Sequence, residues 1–160
     1  MAKKGNTPAL AFLRRQKVDH DVHVYELTVD ADSYGEAVAA ELGVEPARLF
    51  KTLIAVVDSE PVVAVVPVSG RLSLKALARA AQGKRATMAD PADAERWTGY
   101  VTGGISPFGQ KRRMPVFIDE TVTAFETVFA SGGQRGIQIE VRPADLITHL
   151  GAALAPLAGD

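Results

Sequence analysis

The stretch LFKTLIAVVDSEPVVAVVPV, residues 49–68, consists of two apolar runs rich in β-branched residues and separated by a short polar turn. Each run, 49–58 and 61–68, is long enough for one strand, and continuous apolar sequence is typical of strands that are buried on both faces. Because the turn is short, the two strands are predicted to pair as a hairpin. The rest of the fold is predicted around this buried pair.

Lys51 interrupts the first apolar run, together with Thr52. A lysine within such a run must either extend its ammonium group to the surface or point into a polar cleft. Regular alternation places Phe50 and Thr52 on one face of the strand and Lys51 on the other. The ammonium group is therefore expected at a rim or a pocket, and a surface lysine at the end of a strand is the alternative.

Helices and strands are predicted on both sides of the hairpin from capping residues, prolines and alternating apolar residues. No regular βαβ cadence is present, so the pattern indicates a mixed α/β fold in which helices flank a mixed sheet. The predicted elements are a helix from Thr7 and Pro8 to about Lys17, a strand at 21–27, a helix opened by Ser33 and Glu36 and ended by Gly43, a helix at 72–83 ended by Gly83, a helix starting at Asp90-Pro91, a strand at 115–118, a strand pair around 131–136 and a last helix from Pro143.

The composition of the 160 residues fits one domain, 1–160, with a core of its own. The chain has no cysteine, which excludes a disulfide framework and a thiolate nucleophile and suits a reducing compartment. The sequence has no apolar run of membrane-spanning length, and no hydrophobic segment follows its basic start. We therefore expect a soluble, unprocessed, cytoplasmic protein without a membrane partner.

The charge is unevenly distributed although the formal net charge is only −1. Residues 19–45 carry eight acids and neither lysine nor arginine, whereas residues 71–113 carry nine bases against three acids. The basic part is a candidate face for an anionic partner, and a solvated surface with balanced charges is the alternative.

Several familiar catalytic patterns are not matched. The stretch GGISPFGQKRR, 103–113, has Gln-Lys-Arg where a phosphate loop needs Lys followed by Ser or Thr. Ser106 precedes a proline, which cannot supply the N–H of an oxyanion hole. His20 and His23 would face opposite sides of an extended segment. The sequence therefore predicts no Walker site, serine triad, metal or cofactor.

Two glycine-rich loops remain, GYVTGGISPFGQ at 99–110 and SGGQRG at 131–136. Glycine allows close approach of a substrate to backbone N–H groups, so both loops are candidate binding walls. Two tight turns are the alternative, since glycine occurs in turns generally.

The motifs LFKTLIAVV, MADP, WTGYVTGGISPFGQKRR and SGGQRG occur in the order and spacing of the YbaK family, which this chain resembles from about residue 7 to about residue 150. The resemblance implies a single α/β domain built on a mixed, barrel-like sheet, which is also used as the editing insertion of bacterial prolyl-tRNA synthetases. It implies cleavage of the ester between cysteine and tRNA, chiefly cysteine misloaded on tRNA for proline, alongside prolyl-tRNA synthetase. The partner is then the acceptor end of an aminoacyl-tRNA, not DNA.

The resemblance also implies which residues form the site. Lys51 matches the essential lysine of the family, and Gln134 and Gln138 depart from residues common in relatives. Lys111, Arg112, Arg113 and Arg135 are expected to meet tRNA phosphates. The implied substrate-pocket residues are Tyr25, Tyr34, Thr52, Gly103, Gly104, Ile105, Ser106, Pro107, Ser131, Gly132 and Gly133.

The family reaction is thought to use the substrate's own thiol, which attacks the acyl carbonyl and releases the tRNA as a thiolactone forms. A protein with no cysteine, triad or metal site then needs only to orient and stabilise, which accounts for several kcal/mol of barrier. Two alternatives stay open: removal of alanine or serine, which have no thiol, and a non-catalytic module that binds aminoacyl-tRNA or a synthetase.

Overall fold

The computed structural model describes residues 6–26 and 34–159. Its helices are α1 (Pro8–Arg15), α2 (Tyr34–Leu42), α3 (Leu74–Ala80), α4 (Pro91–Thr98) and α5 (Pro143–Leu150), with 3₁₀ turns at Pro46–Arg48 and Glu120–Ala124. Its strands are β1 (Asp21–Val24), β2 (Phe50–Val57), β3 (Glu60–Pro67), β4 (Arg71–Leu72), β5 (Ala86–Met88), β6 (Val116–Asp119), β7 (Val128–Ser131), β8 (Ile137–Val141), β9 (Ala153–Ala155) and β10 (Ala158–Gly159). No helix in these ranges is long and apolar enough to cross a membrane.

The strands form a five-stranded sheet, a three-stranded sheet and a two-stranded ribbon. The five-stranded sheet has the order β5-β2-β3-β6-β9, antiparallel around β2 and parallel from β3 to β9. The antiparallel sheet β1-β8-β7 adjoins it through a bridge between Leu49 and Phe129. The mixed α/β class is confirmed, but the barrel-like sheet is corrected, since the described strands do not close into a barrel.

The predicted hairpin is confirmed and is the centre of the larger sheet. β2 and β3 pair in full register, from Phe50 opposite Pro67 to Val57 opposite Glu60. The two-residue turn between them has positive φ at both Asp58 and Ser59, as a type I′ turn requires. The Asp58 carboxylate accepts hydrogen bonds from the backbone N–H groups of residues 84 and 85, each at 2.9 Å, and these bonds hold the turn against β5.

Both faces of the hairpin are buried, which explains its largely apolar sequence. On one face Phe50 and Val65 belong to the main core with Leu10 of α1 and Leu146 of α5. On the other face the small and β-branched side chains of the hairpin pack with Leu77 of α3. In contrast to the buried hairpin, β1 is an edge strand, and its Val22 and Val24 are exposed.

Most helix boundaries agree with the prediction. Thr7 caps α1 by accepting a hydrogen bond from the Leu10 N–H, and Pro143 opens α5. The capping box of Ser33 lies outside the described residues, as does the end of the strand predicted at 21–27. Helix α1 ends two residues early, at Arg15.

The role predicted for Gly83 as the helix-ending glycine is wrong. Gln82, with a φ of 59°, takes the left-handed position after α3. A Cβ at Gly83 would lie 2.4 Å from Val57 Cγ1. A glycine is therefore needed at position 83 because the chain packs closely against β2, and the helix end is formed by Gln82 instead.

Asp119 ties the C-terminal segment to the sheet. Its Oδ1 accepts hydrogen bonds from the N–H groups of Leu157 and Ala158, both at 2.8 Å, and its Oδ2 accepts from the Thr121 hydroxyl. The residue is 2% exposed. These hydrogen bonds, which we call the Asp119 clasp, hold Leu157 in the core on the α3 side of the hairpin.

Replacing Asp119 with alanine is expected to lower the free energy of unfolding by about 3 kcal/mol, because each buried donor left unpaired costs about 1–3 kcal/mol. Urea unfolding measures the change. Glu120→Ala, at an exposed neighbour, is the control and is expected to stay within about 0.5 kcal/mol of wild type. Equal effects of the two substitutions would contradict the clasp.

The same clasp predicts how stability depends on pH. Burial favours neutral Asp119, but the hydrogen bonds from Thr121, Ala158 and Leu157 outweigh it and lower its pKa below the ordinary value. Such a carboxylate stabilises the fold above its unfolded-state pKa of about 3.9, and the contribution is lost as pH falls through the folded-state pKa. The stability gap between wild type and Asp119→Asn should therefore shrink from about pH 6 to about pH 2, and a constant gap would refute this.

Candidate functional site

A cavity of about 440 Å³ opens where α2, the first half of β2 and the loop at 102–105 meet. Gly35 allows α2 to approach the hairpin closely, since a Cβ there would lie 2.9 Å from Val68 Cγ1. The cavity is lined by Tyr34, Gly35, Glu36 and Val38 of α2, residues 49–54 of β2 and its approach, Val68, Met88, Ala89, Pro91, Ala94, Thr102, Gly103, Ile105, Ser131 and Gln138.

Lys51 lies in the wall of this cavity. Its sequence context allowed either a pocket or the surface, and the structure shows the pocket. Its side chain is half-buried. Burial lowers the pKa of Lys51, and the nearby positive charge of Arg71 lowers it further, while Glu36 raises it. Lys51 and Glu36 are thus the cation and the carboxylate that face this space.

Two buried polar atoms in the cavity wall have no hydrogen-bond partner. They are Thr52 Oγ1 and Gln138 Oε1, on side chains that are 8% and 7% exposed. Within the described part of the chain these are the only such side-chain atoms, and both residues line the same cavity. An unpaired buried polar group is costly, so their joint placement indicates a site that a polar ligand completes.

An aromatic and cationic cluster forms the rim. The hydroxyl groups of Tyr25 and Tyr34 are 2.7 Å apart, and Gln138 Nε2 donates a long hydrogen bond of 3.5 Å to Tyr25. Burial, followed by the bond to Tyr25, raises the pKa of Tyr34. The Arg135 guanidinium lies 4.6 Å from the centroid of the Tyr34 ring, and its Nε would be 2.6 Å from a Cβ on Gly103.

The glycine loops lie behind the cavity, and several of their backbone N–H groups are not free to donate to a ligand. The Gly104 N–H donates to the Val101 carbonyl, the Gly132 N–H to the Ile137 carbonyl and the Gly133 N–H to Ser131 Oγ. The expectation that these amides face a substrate is corrected, because turn formation already occupies them. Gly103 and Ser131 still line the cavity.

Ser106 and Pro107 also lie away from the cavity. Ser106 is fully buried, and its Oγ accepts a hydrogen bond from the Phe108 N–H at 3.2 Å. Pro107 lines a second cleft on the other side of the loop, together with Arg112 and Arg113. Lys111 is exposed outside both spaces. Of the predicted site residues, the cavity brings together the essential lysine, Lys51, and Tyr34, Thr52, Gly103, Ile105 and Ser131, and Tyr25 joins them through its hydrogen bond to Tyr34. The predicted residues that do not line the cavity are Gly104, Ser106, Pro107, Gly132 and Gly133.

Sequence reasoning missed Glu36 and Met88 as cavity residues and noted Gln138 only as a departure from relatives. Gly35 was an available signal for Glu36, since a glycine inside a helix indicates close packing. Gln138 gave no comparable signal, because its neighbours come from strands far apart in the sequence.

The chemistry of the cavity is that of binding and orientation. No histidine is among the described residues that line it, so its hydroxyl groups lack the imidazole base that activates a serine or threonine nucleophile. No group of three or more His, Asp or Glu residues in 6–26 and 34–159 is arranged to hold a metal ion. Fold and site together define an α/β domain with a cavity whose wall carries unpaired polar groups.

Comparison with known proteins identifies the class. A model of the aminoacyl-tRNA editing domain matches residues 28–149. A protein of Enterococcus faecalis named "Putative Cys-tRNA(Pro)/Cys-tRNA(Cys) deacylase EbsC" is 38% identical over 152 residues, which are 92% of each chain. The chain belongs to the aminoacyl-tRNA editing domain family.

Two further similarities agree with this assignment. A proline–tRNA ligase of Maridesulfovibrio salexigens is 35% identical over 101 residues, which are 63% of this chain and 17% of the ligase. The crystal structure of "a putative trans-editing enzyme for prolyl tRNA synthetase" covers all of this chain with a TM-score of 0.83 at 21% identity. The structural likeness establishes the fold, and the predicted family resemblance is confirmed.

Gly103→Ala is expected to displace Arg135 from Tyr34, because the new Cβ would overlap the guanidinium and φ at this residue is 94°. A left-handed alanine costs about 1–2 kcal/mol, which urea unfolding measures, and a crystal structure would locate Arg135. Gly43→Ala is the matched control, since φ there is 70° and nothing lies within 4 Å of the added Cβ. Arg135 remaining over Tyr34 in Gly103→Ala would contradict the packing argument.

Proposed function

We propose that this protein acts in trans to remove cysteine from mischarged tRNA, chiefly Cys-tRNA(Pro), at the cavity beside Lys51. The observation that carries the proposal is that Lys51 shares one cavity with two buried, unpaired polar atoms, on Thr52 and Gln138. The family assignment supplies the substrate class, and the name of the Enterococcus faecalis relative supports the choice of cysteine.

The acyl group is proposed to occupy the inner part of the cavity. The Gln138 carbonyl oxygen is an acceptor suited to the α-ammonium group of an aminoacyl ester, and the Thr52 hydroxyl can donate to the ester oxygen atoms. Ile54, Ala94 and Ile105 supply apolar contacts for a short side chain. Substrate binding would then pair both atoms that are unsatisfied in the empty site.

The nucleotide end of the substrate is proposed to lie at the rim. The Lys51 ammonium would pair with the terminal phosphate or ribose of the acceptor strand, and Arg135, held against Tyr34, would meet a neighbouring phosphate. Arg112 and Arg113 lie farther along the same loop and are proposed to contact the tRNA backbone. Lys111, which lined up with them in the sequence, lies outside the cleft that they share and is not assigned this role. The N–H of Gly103 is proposed to lie near the acyl carbonyl, whereas the N–H of Gly104 is already bonded to the Val101 carbonyl.

The proposed reaction needs no side-chain nucleophile. The thiol sulfur of the substrate forms a bond to its own acyl carbon, the ester C–O bond breaks, and the thiol proton ends on the released ribose oxygen. The protein holds sulfur and carbonyl in attacking geometry, which can supply several kcal/mol, and stabilises the developing oxyanion. A cavity without a histidine or a cysteine suits this route.

Prolyl-tRNA synthetase is the proposed partner, and the cytoplasm the proposed location. A relative that is itself a proline–tRNA ligase carries a segment similar to this chain. Nothing in the described cavity reads an anticodon, so a synthetase would supply the selection of tRNA(Pro). The reduced compartment in which tRNA is charged also suits a chain that has no cysteine.

Lys51→Ala is expected to lower the deacylation of Cys-tRNA(Pro) by roughly 10²–10³-fold, because it removes the cation that holds the nucleotide end. Release of labelled cysteine measures the rate, and circular dichroism with urea unfolding checks the fold. Lys75→Ala is the control, since Lys75 is an exposed lysine outside the cavity. Near wild-type activity of Lys51→Ala would overturn its role.

The same assay with Ala-tRNA(Pro), Pro-tRNA(Pro) and S-methylcysteinyl-tRNA(Pro) tests the substrate. Selective release of cysteine, with the methylated analogue left intact, is the expected result, because only a free thiol can cyclise. Release of alanine would instead indicate the sister specificity and a water-dependent route. Absence of release from every substrate at micromolar protein would reject deacylation and leave a binding module.

Thr52→Val is expected to separate function from stability. The hydroxyl has no partner in the empty protein, so an isosteric methyl group should leave the free energy of unfolding unchanged or raise it by up to about 1 kcal/mol. Deacylation should fall by roughly tenfold, because the bound substrate loses a hydrogen bond. A stability loss above about 2 kcal/mol would show that the hydroxyl has a structural partner instead.

A further inference from the structure

A second cleft, of about 340 Å³, lies between α1, the loop at 107–116 and α5. Three arginines line it, Arg15 of α1 and Arg112 and Arg113 of the loop, together with His149 of α5. No aspartate or glutamate is among its described lining residues. Arg15 and Arg113 are 98 positions apart in the sequence, so folding, and not local composition, creates the cluster.

The arginines of this cleft differ from the three described arginines that form ion pairs with carboxylates. Arg48 pairs with Glu140, Arg96 with Asp93, and Arg142 with Asp19 and Asp145. Within residues 6–26 and 34–159, no carboxylate lies within salt-bridge distance of Arg15, Arg112 or Arg113; Arg15 rests near Phe12 and Arg112 near Trp97. Uncompensated like charges around one cleft repel each other, and a bound anion removes that repulsion.

The cleft and the substrate cavity lie on opposite sides of one short loop segment. Ile105 faces the cavity, Ser106 is buried between, and Pro107 faces the cleft. The cavity and the cleft therefore share this segment as a common wall.

We propose that this cleft binds phosphodiester groups of the tRNA at a distance from the acylated end, as a second anchoring site. The inference rests on the proposed function, which places a tRNA end in the cavity. Guanidinium forks match phosphate oxygens in bidentate geometry. Because the tRNA is tethered at the cavity, its own phosphates have a higher effective concentration at the cleft than a free acidic peptide has.

The cleft separates the three consecutive basic residues at 111–113 into two groups, which a mutational test can distinguish. Arg112 and Arg113 line it, whereas Lys111 does not, although all three are exposed and adjacent in sequence. Arg15, which no sequence motif marks, belongs with Arg113. A diffuse electrostatic attraction would treat Lys111 and Arg113 alike, and a built site would not.

The test compares Arg15→Gln, Arg113→Gln and Lys111→Gln in equilibrium binding of labelled, uncharged tRNA(Pro) at several salt concentrations. Arg15→Gln and Arg113→Gln are each expected to weaken binding about five- to tenfold and to reduce the salt slope by about one. Lys111→Gln should weaken binding less than about twofold. Equal effects of all three substitutions, or no effect of Arg15→Gln, would overturn the proposal.

A minimal ester, 3′-O-cysteinyl-adenosine, separates this inference from the proposed function. This ester has no phosphate group that could reach the cleft, so the wild type and all three variants are expected to cleave it at the same kcat/KM. Failure of the wild type to cleave either the ester or Cys-tRNA(Pro) would reject the function, while the binding comparison would still report on the cleft. Loss of ester cleavage in Arg15→Gln or Arg113→Gln would show that the residue acts on the cavity, and would reject a separate anchoring site.

Discussion

Burial of both faces of the β2–β3 hairpin is the constraint on which the rest of the structure depends. Eight pairs of residues join the two strands, and their side chains alternate between two separate cores. Helices α1 and α5 cover one face and α3 the other, so each must lie where the hairpin directs it. The cavity forms along the first half of β2, where α2 and the loop at 102–105 meet the strand, and this is where Lys51 and Thr52 interrupt the apolar sequence.

The two interruptions are complementary. Lys51 can occupy this strand because α2, which Gly35 brings close, leaves a cleft for its ammonium group. Thr52 points to the opposite face of the strand and keeps its hydroxyl unpaired in an otherwise dense wall. Polar groups without partners are uncommon in protein interiors and occur where another molecule supplies the partner. The site is therefore identified by the unpaired oxygen atoms of Thr52 and Gln138 as much as by the charge of Lys51.

Much of this arrangement follows from the sequence, and the remainder depends on contacts between distant segments. β-branched runs predict the hairpin, Thr7 and Pro8 predict the start of α1, and a lysine in an apolar run restricts its ammonium group to a rim, a pocket or the surface. Sequence alone could not show that Gly83 is required by Val57, since that contact joins a helix end to a strand 26 positions earlier. Nor could it show that the amides of Gly104 and Gly132 are taken up in turns, because a glycine loop that binds and one that only turns have the same composition.

The edge strand β1 has a consequence for how the protein behaves in concentrated solution. Val22 and Val24 are 43% and 57% exposed on a strand whose outer side has no pairing partner among the described strands. Such an edge is a template for intermolecular pairing, and charged residues normally protect it. Asp21 and Glu26, which are exposed on and beside this strand, provide that protection through repulsion between copies. High salt would screen the repulsion without titrating Asp119, so the colloidal stability of this domain depends on carboxylates that contribute nothing to its core.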